Sequence, residues 1–292
     1  MNTVPVRATS RLGDELNFIV TNRVPRILFT RFMGWFSKIR NPVVSAASIA
    51  VWRRFSELDL SDAKTRRFAS LHDCFTRELV EGARPVDPDP AALTSPCDAI
   101  VGACGRVHGT TVLQAKESAY TLDDLLCDAS LANYYAGGCY ATLRLKAEMY
   151  HRFHAPYDCR VEQVTYVAGD AWNVNPPAVT RIPRLYCRNE RAVIRTRIGP
   201  GSHMIALVPV AAILVASIRF TFVDVRLHLR YRGPNRIRCD AGLRKGDPMG
   251  WFEHGSTIIV LAPRGFELAP AITTGVTLRA GRQLMRLSSE AQ

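Results

Sequence analysis

The chain has 292 residues, of which 47% are hydrophobic and 22% charged, so it can fold around a large core and does not belong to the disordered class. Lys and Arg number 38 against 26 Asp and Glu, and the formal net charge of +12 favours an anionic partner. An anionic membrane surface, acidic small molecules and nucleic acid would all fit this charge, but no nucleic-acid-binding motif accompanies it, so we expect no nucleic-acid partner.

The first quarter of the chain is both basic and aromatic. Residues 1–72 hold twelve Lys or Arg and five Asp or Glu, interleaved with rings such as Phe32, Trp35 and Trp52. This mixture is typical of an interfacial helix on anionic lipid, and it suits equally an amphipathic helix packed on its own domain. No run reaches the roughly 18 apolar residues of a membrane span, and no signal-peptide pattern is present. We therefore expect a peripheral protein on the cytoplasmic face of a membrane.

Helical spacing dominates the N-terminal part of the sequence. Apolar residues recur at this spacing from Leu16 to Leu79, with breaks at Pro25 and Pro42. Ser61 is the expected N-cap of the last predicted helix. The pattern predicts a helical domain over residues 1–80.

Short strands dominate the rest of the sequence. The Pro- and Asp-rich stretch Glu81–Pro96 is a natural connector, and a second domain is predicted over residues 81–292. Strand-like segments such as "YATLRLKA" and "CRVEQVTYVAG" follow, with little helix beyond Thr121–Asp128. The apolar run Met204–Ile218 contains a proline and many β-branched residues, which favours buried strands. The predicted fold class is α+β, with a helical membrane-docking region followed by a compact β-rich catalytic domain of sandwich or barrel type.

Three stretches supply polar residues that could carry chemistry. They are "SPCDAIVG" with Asp98, "YHRFHAP" with His151 and His154, and "HGST" with Ser256. Asp, His and Ser are the types that orient a base, accept a proton and attack a carbonyl, although a turn would also explain the Asp and Ser positions. The histidines are three residues apart, so in a strand their rings point to opposite faces. With no obvious third ligand, we predict no metal site.

Five separated blocks resemble those of the phosphatidylserine decarboxylase family, in the order in which that family carries them. They are "FTRELVEGARPVD", "SPCDAIV", "YHRFHAPYD", "NERAV" and "GSTIIVL". The resemblance runs from Phe75 to Leu268. One block could arise by chance, but five in order make the resemblance specific.

The resemblance implies a self-cleaving, pyruvoyl-dependent carboxy-lyase. In such enzymes the serine corresponding to Ser256 attacks the carbonyl of the preceding glycine, here Gly255, and β-elimination then breaks the resulting ester. The products would be a β chain of residues 1–255 and an α chain of residues 256–292, which begins with a pyruvoyl group made from Ser256. The pyruvoyl carbonyl forms a Schiff base with the substrate amine and withdraws electrons as carbon dioxide leaves, converting phosphatidylserine to phosphatidylethanolamine.

The same resemblance implies roles for three further residues. His154 would be the base that activates the serine, and Asp98 would orient its imidazole. His151 would contact the carboxylate or phosphate of the substrate or protonate the carbanion, although a structural hydrogen bond explains it nearly as well. His254 stands where the family usually has Leu, and an ionisable ring there could alter the pH dependence of self-cleavage.

Three other functions remain open on the sequence alone. A pyruvoyl decarboxylase of a soluble amino acid would not need the amphipathic N-terminus. A non-catalytic lipid-binding relative would have no use for Asp98, His154 and Ser256 together, and a serine hydrolase would carry the G-x-S-x-G pattern that "HGST" lacks. The expected partners are phosphatidylserine, an anionic membrane surface and the β and α chains for each other, with a homodimer as a further candidate assembly.

Overall fold

The structure of the protein, a computed structural model, describes residues 26–115, 118–199, 203–213, 217–228, 231–253 and 256–288. The start of the predicted docking region lies outside the described residues. His254 and Gly255, beside the predicted scissile bond, also lie outside them.

From Arg26 onward, where the description of the chain begins, three helices precede the β-rich part: α1 (Arg26–Phe36), α2 (Pro42–Phe55) and α3 (Leu71–Phe75). Asn41 caps α2, because its side chain accepts hydrogen bonds from the backbone amides of the second and third helical residues at 3.0 and 3.1 Å. Pro42 occupies the first helical position, where its missing amide hydrogen is not needed. The predicted helices on either side of Pro42 are therefore confirmed.

The stretch between α2 and α3 is not helical, so the predicted N-cap at Ser61 is wrong. The Ser61 amide donates to the Asp59 carboxylate at 2.8 Å, a local side-chain contact that competes with helix formation. Ala63 forms an antiparallel bridge with Leu79 instead of continuing a helix. The cap falls on Ser70, whose hydroxyl accepts the hydrogen bond of an α3 amide at 3.1 Å.

Antiparallel strands make up most of the remaining described chain, as the sequence predicts. The strands are β1 (Ala92–Thr94), β2 (Ala99–Arg106), β3 (Thr111–Ala115), β4 (Ser118–Thr121), β5 (Cys139–Arg144), β6 (Arg152–His154), β7 (Cys159–Val167), β8 (Arg191–Ile198), β9 (His203–Ala211), β10 (Ser217–Phe220), β11 (Arg226–His228), β12 (Arg236–Leu243), β13 (Pro248–Phe252), β14 (Ser256–Ala262), β15 (Phe266–Leu268), β16 (Thr277–Leu278) and β17 (Gln283–Leu287). Strands β9 and β10 confirm the interpretation of Met204–Ile218 as buried strands rather than a membrane span.

Within the described ranges, these strands pair into four sheets. The largest has eight strands in the order β12-β7-β8-β9-β14-β5-β2-β16. A four-stranded sheet has the order β11-β10-β13-β6, and smaller sheets join β1-β17-β15 and β3-β4. The chain passes from β13 in the four-stranded sheet to β14 in the middle of the large sheet, and the predicted scissile bond lies within that passage.

The two faces of the large sheet have different neighbours. Tyr166 on β7 pairs with Ala192, and its hydroxyl donates to the His228 carbonyl of the four-stranded sheet at 3.2 Å. The preceding residue on β8, Arg191, projects from the opposite face and donates to the Leu125 carbonyl at 2.7 Å. The large sheet therefore lies between the four-stranded sheet and the helices, which gives the predicted sandwich character.

In the part of the chain that the structure describes, four short helices lie on the side of the large sheet opposite the four-stranded sheet: α4 (Leu122–Leu126), α5 (Ala129–Tyr134), α6 (Pro176–Arg181) and α7 (Leu185–Arg188). Only α4 falls within the predicted helical segment. The other three helices are too short for their apolar residues to show a helical spacing in the sequence. Side-chain caps stabilise the first turn of two of them. Asp128 accepts the hydrogen bond of an α5 amide, and Asn175 accepts that of an α6 amide, each at 3.1 Å.

Candidate active site

Ser256 begins strand β14 in the interior of the protein. It is completely buried, pairs with Ala211 on β9, and its carbonyl accepts the amide of Leu145 at 2.9 Å. Its hydroxyl has no hydrogen-bond partner within the described ranges. Because an unsatisfied buried polar group costs about 1–3 kcal/mol, such a group in a native core calls for a functional explanation.

The Ser256 side chain lies on the face of the large sheet that is turned toward the four-stranded sheet. The amide of its partner Ala211 donates to the Glu190 carbonyl at 2.8 Å, so the three residues form one row across the sheet. Glu190 shares its face with Ala192, two residues later, and hence with Tyr166. In the four-stranded sheet Phe153 packs against Phe252 in the core, so the neighbouring His154 projects from the opposite face of β6 and does not share the Ser256 interface.

His151 is fully buried just before β6. Its Nδ1 donates to the Met149 carbonyl at 2.8 Å, which leaves Nε2 as the basic nitrogen of the neutral ring. The ring packs on Phe75 with centroids 4.0 Å apart. These contacts fix both the tautomer and the orientation of the imidazole.

His154 ends β6, and both of its ring nitrogens are engaged. Nδ1 donates to the Gly246 carbonyl at 2.9 Å, and Nε2 lies 3.1 Å from the Tyr150 hydroxyl, which donates to it. Burial lowers the pKa of His154, and the Gly246 hydrogen bond and the charge of Asp98 oppose that shift without overcoming it. The neutral imidazole is therefore favoured, with its basic nitrogen masked by a phenol whose own pKa burial raises to about 12.

Asp98 is bound by Arg84 rather than by a histidine. Arg84 donates from Nε to Oδ1 at 2.8 Å and from Nη2 to Oδ2 at 2.6 Å, and the Ala280 amide donates to Oδ1 at 2.9 Å. Burial alone would lower the pKa of Arg84, but the Asp98 and Asp62 carboxylates outweigh it and raise that pKa. Asp98 thus acts on His154 through its charge, while the orienting contact to the imidazole comes from a backbone carbonyl.

The two histidines lie at different ends of the β6–β13 pair. His154 is opposite Pro248, at the start of β13, whereas the His151 carbonyl accepts the amide of Phe252 at 3.1 Å, at its end. Strand β13 runs toward Ser256. His151 is therefore the histidine at the scissile end of the pair, and His154 lies at the far end.

A cavity of about 450 Å³ opens beside the residues that hold Ser256. Its lining includes Leu145, which binds the Ser256 carbonyl, and Ala212, which follows the strand partner of Ser256. Arg144, Lys146 and Glu148 also line it, and Lys146 is paired with Glu148 at 3.3 Å. Burial lowers the pKa of Arg144, and Tyr186 and the Glu148 carboxylate oppose that shift without overcoming it, so a further anion would stabilise the charged form of Arg144.

Three residues of this region are absent from the sequence-based prediction. Arg84 and Tyr150 fall inside two of the blocks that resemble the family, in the stretches "GARPVD" and "YHRFHAP". Their place in these blocks could have identified them as candidate site residues. Arg144 could not be found from the sequence, because its place beside the cavity depends on the pairing of β5 with β14. Within the described ranges, no group of three or more His, Cys, Asp or Glu side chains is placed to hold a metal ion.

Comparison with known proteins gives a consistent family. A sequence model described as phosphatidylserine decarboxylase matches residues 71–286. A phosphatidylserine decarboxylase proenzyme of Saccharophagus degradans is 31% identical over 96% of this chain and 100% of its own length. Proteins of the same name from Haemophilus influenzae and Bordetella pertussis are 34% and 35% identical, over 82% and 85% of this chain and 84% and 86% of their own lengths. The matched family model and these relatives show that the chain belongs to the phosphatidylserine decarboxylase family.

Proposed function

We propose that this protein is a phosphatidylserine decarboxylase, which forms phosphatidylethanolamine and carbon dioxide and produces its own pyruvoyl group by self-cleavage. The observation that carries the proposal is the match to relatives named phosphatidylserine decarboxylase proenzymes over 82–96% of the chain. The buried Ser256 hydroxyl without a partner supports it, because a purely structural hydroxyl in a core is normally hydrogen-bonded.

Self-cleavage would begin with Ser256. Its Oγ attacks the carbonyl carbon of Gly255 and loses a proton to a base, and the amide nitrogen then leaves as the free amine, so that an ester replaces the peptide bond. β-Elimination removes a Cα proton and breaks the Cβ–Oγ bond, which releases the Gly255 carboxylate and leaves dehydroalanine. Addition of water and loss of ammonia convert the dehydroalanine to the pyruvoyl group.

We assign the base of the first step to His154 and the stabilising charge to Asp98, as the family pattern implies. His151 is assigned to the reacting centre of the decarboxylation, because it lies at the end of β13 nearer to Ser256 in register. Replacing each histidine by asparagine separates the roles. His154→Asn should leave the chain whole, whereas His151→Asn should leave it cleaved but slow in decarboxylation; the reverse result would exchange the assignments.

The mature site would combine Ser256 with the adjacent cavity. The pyruvoyl group supplies a carbonyl that binds the substrate amine covalently and accepts electrons as carbon dioxide leaves. Arg144 and Lys146 would bind the carboxylate or phosphate of the headgroup, since a guanidinium and an ammonium both suit these anions. The cavity volume falls in the range of small-molecule sites, about 300–1,000 Å³.

The cleaved chains would stay together through the sheets. All four described strands that follow the scissile bond lie in sheets, and three of them pair with strands that precede it: β14 with β9 and β5, β16 with β2, and β17 with β1. These backbone ladders support lasting association of a 255-residue and a 37-residue chain. A homodimer stays a prediction.

The N-terminal helices would provide the membrane contact. Large apolar side chains are exposed on both, namely Leu28, Phe32 and Trp35 on α1 and Val51 and Phe55 on α2. Together with the basic residues of this region, they suit an anionic leaflet. No helix in the described part of the chain is long and apolar enough to span a bilayer. The cytoplasmic face remains the predicted location.

The intact mass of the purified protein, compared with Ser256→Ala, tests the proposal. We expect two chains that end at Gly255 and begin at residue 256, with the smaller one carrying pyruvoyl in place of serine, and an uncleaved alanine variant. Carbon dioxide should be released from phosphatidylserine in mixed vesicles and not from free L-serine. A folded, uncleaved parent chain would refute the pyruvoyl mechanism, and release from L-serine alone would move the substrate class to soluble amino acids.

A further inference from the structure

A buried carboxylate that none of the proposed steps uses lies at the entrance to the scissile bond. Glu253 directly follows β13 and is only 9% exposed. Its Oε2 accepts hydrogen bonds from the Ser217 hydroxyl at 2.6 Å and from Nζ of Lys38 at 3.2 Å. Burying a carboxylate without such partners would be strongly unfavourable, so these contacts hold Glu253 in one place.

The electrostatic surroundings favour the ionised form of this side chain. Burial alone would raise the pKa of Glu253, but the Ser217 hydrogen bond and the charge of Lys38 outweigh burial and lower it. Glu253 is therefore a charged anchor and is not placed to exchange protons at neutral pH.

Both ends of the segment that contains the scissile bond are fixed by the backbone. On one side the Glu253 amide donates to the Ser217 carbonyl at 3.3 Å. On the other, Ser256 pairs with Ala211 and its carbonyl accepts the Leu145 amide at 2.9 Å. Only two residues separate these anchors, a reach of roughly 10 Å from Cα to Cα at full extension. A displacement of Glu253 would therefore reach the bond that Ser256 attacks.

Lys38 brings the N-terminal helices into this arrangement. It lies two residues beyond the end of α1, next to the fully buried Ser37, whose carbonyl accepts the His72 amide of α3 at 2.8 Å. The ammonium group is therefore held by a packed segment of backbone, even though 41% of its side chain is exposed. The contact joins residues 215 positions apart in the chain.

We propose that Glu253, held by Ser217 and Lys38, is a positioning residue for self-cleavage, which anchors the chain on the N-terminal side of the bond that Ser256 attacks. The inference rests on the self-cleavage proposed above. Attack on a carbonyl depends steeply on placement, and a displacement of about 1 Å can slow such a reaction on the order of 100-fold.

The experiment follows the cleavage of newly made protein. The full chain is synthesised in a cell-free system with a short pulse of labelled amino acid, and conversion of the precursor to the 255-residue chain is timed on gels. Glu253→Ala should slow cleavage by at least about 10-fold, whereas Glu253→Gln, which can still accept from Ser217, should be several-fold faster than the alanine variant. Lys38→Met should slow cleavage by roughly 2- to 5-fold, as expected for a partly exposed ion pair.

Lys64→Met is the matched control. It removes the Lys64–Glu78 ion pair, which is 3.1 Å long, belongs to the same part of the chain and lies on the surface. Its cleavage should keep the parental rate. The double variant Lys38→Glu with Glu253→Lys, which exchanges the two charges, should be cleaved faster than Glu253→Lys alone. A side chain that acts only by filling space would not give this rescue.

The precursor stability of each variant is measured in the Ser256→Ala background, so that folding and cleavage are separated. Cleavage of Glu253→Ala at the parental rate would overturn the inference. A slowing that only matches the lost folded fraction, with no difference between alanine and glutamine, would overturn it as well. A parental chain that never cleaves would refute the proposed self-cleavage itself and this inference with it, whereas a cleaving parent with unaffected variants refutes the positioning role alone.

Discussion

Replacing Arg84 by methionine is the most direct test of how Asp98 is held. Arg84 makes three charge-assisted hydrogen bonds to Asp98, at 2.8, 3.1 and 2.6 Å, and one to Asp62 at 2.9 Å. The Arg84 and Asp98 side chains are 14% and 11% exposed, so water screens their interaction weakly. Methionine fills similar space without the charge and, among the described residues, leaves the amide of Ala280 as the hydrogen-bond partner of the Asp98 carboxylate.

The magnitude follows from the burial of the two partners. Removing one member of a buried ion pair typically costs about 3–5 kcal/mol, because the other charge is left uncompensated. The Asp62 end is 38% exposed and should add less than about 1 kcal/mol. Since the Ala280 amide still binds Asp98, we expect a loss of about 3 kcal/mol in the free energy of unfolding for Arg84→Met.

Urea unfolding in the uncleaved Ser256→Ala background measures this loss in a single chain. In the double variant Arg84→Met with Asp98→Asn no buried charge is left unpaired, so it should lose at least about 2 kcal/mol less than the sum of the single variants. Arg106→Met, which breaks the exposed Arg106–Glu267 pair, should change stability by less than about 1 kcal/mol. Additivity of the two variants within about 0.5 kcal/mol would refute the idea that Arg84 is needed to neutralise Asp98.

Three other perturbations have defined outcomes. Burial lowers the pKa of His154, so its contribution to stability is complete above the unfolded pKa of about 6.5 and is lost as the pH falls through the folded pKa. His154→Asn should therefore make the loss of stability with falling pH less steep. Arg144→Met should raise the KM for phosphatidylserine in mixed vesicles by about 10-fold or more, because it removes a charged contact to the headgroup worth about 1.5–3 kcal/mol. Phe55→Ser should weaken vesicle binding by about 10-fold or more, since Phe55 is 85% exposed and a buried aromatic ring gives about 1.5–3 kcal/mol.

Each of these outcomes has a control. If stability falls as steeply with decreasing pH in His154→Asn as in the parent, the titration belongs to other groups. His108→Asn is the control, because His108 is on the surface. An unchanged KM in Arg144→Met would remove Arg144 from the headgroup site. Vesicle binding of Phe55→Ser is compared with Leu113→Ser, an exposed apolar residue of the β-rich part, and equal losses would argue against docking through α2.

The sequence predicted the parts of the protein that depend on local pattern. Short β-branched segments became the strands of a sandwich, and Pro42 marked the start of a helix. The ordered blocks gave the family, since the residue types at Asp98, His154 and Ser256 are readable without a structure. Prediction failed between α2 and α3, where apolar spacing looked helical while a carboxylate bound the local backbone.

Contacts between distant parts of the chain could not be predicted in this way. The partner of Asp98 is an arginine 14 residues away, and its second partner is an amide 182 residues away. Glu253 reaches Lys38 across 215 residues. None of these pairs leaves a periodic signal, because each depends on which elements pack together.

What the sequence by itself determined is therefore the family, the β-rich architecture and the residue types that chemistry at Ser256 requires. The tertiary structure alone decided that the Ser256 side chain faces the four-stranded sheet, that His151 rather than His154 lies at its end of β13, and that Arg84 binds Asp98. The physical reason is register. Side chains alternate between the two faces of a strand, and the pairing of strands far apart in sequence decides which residues meet.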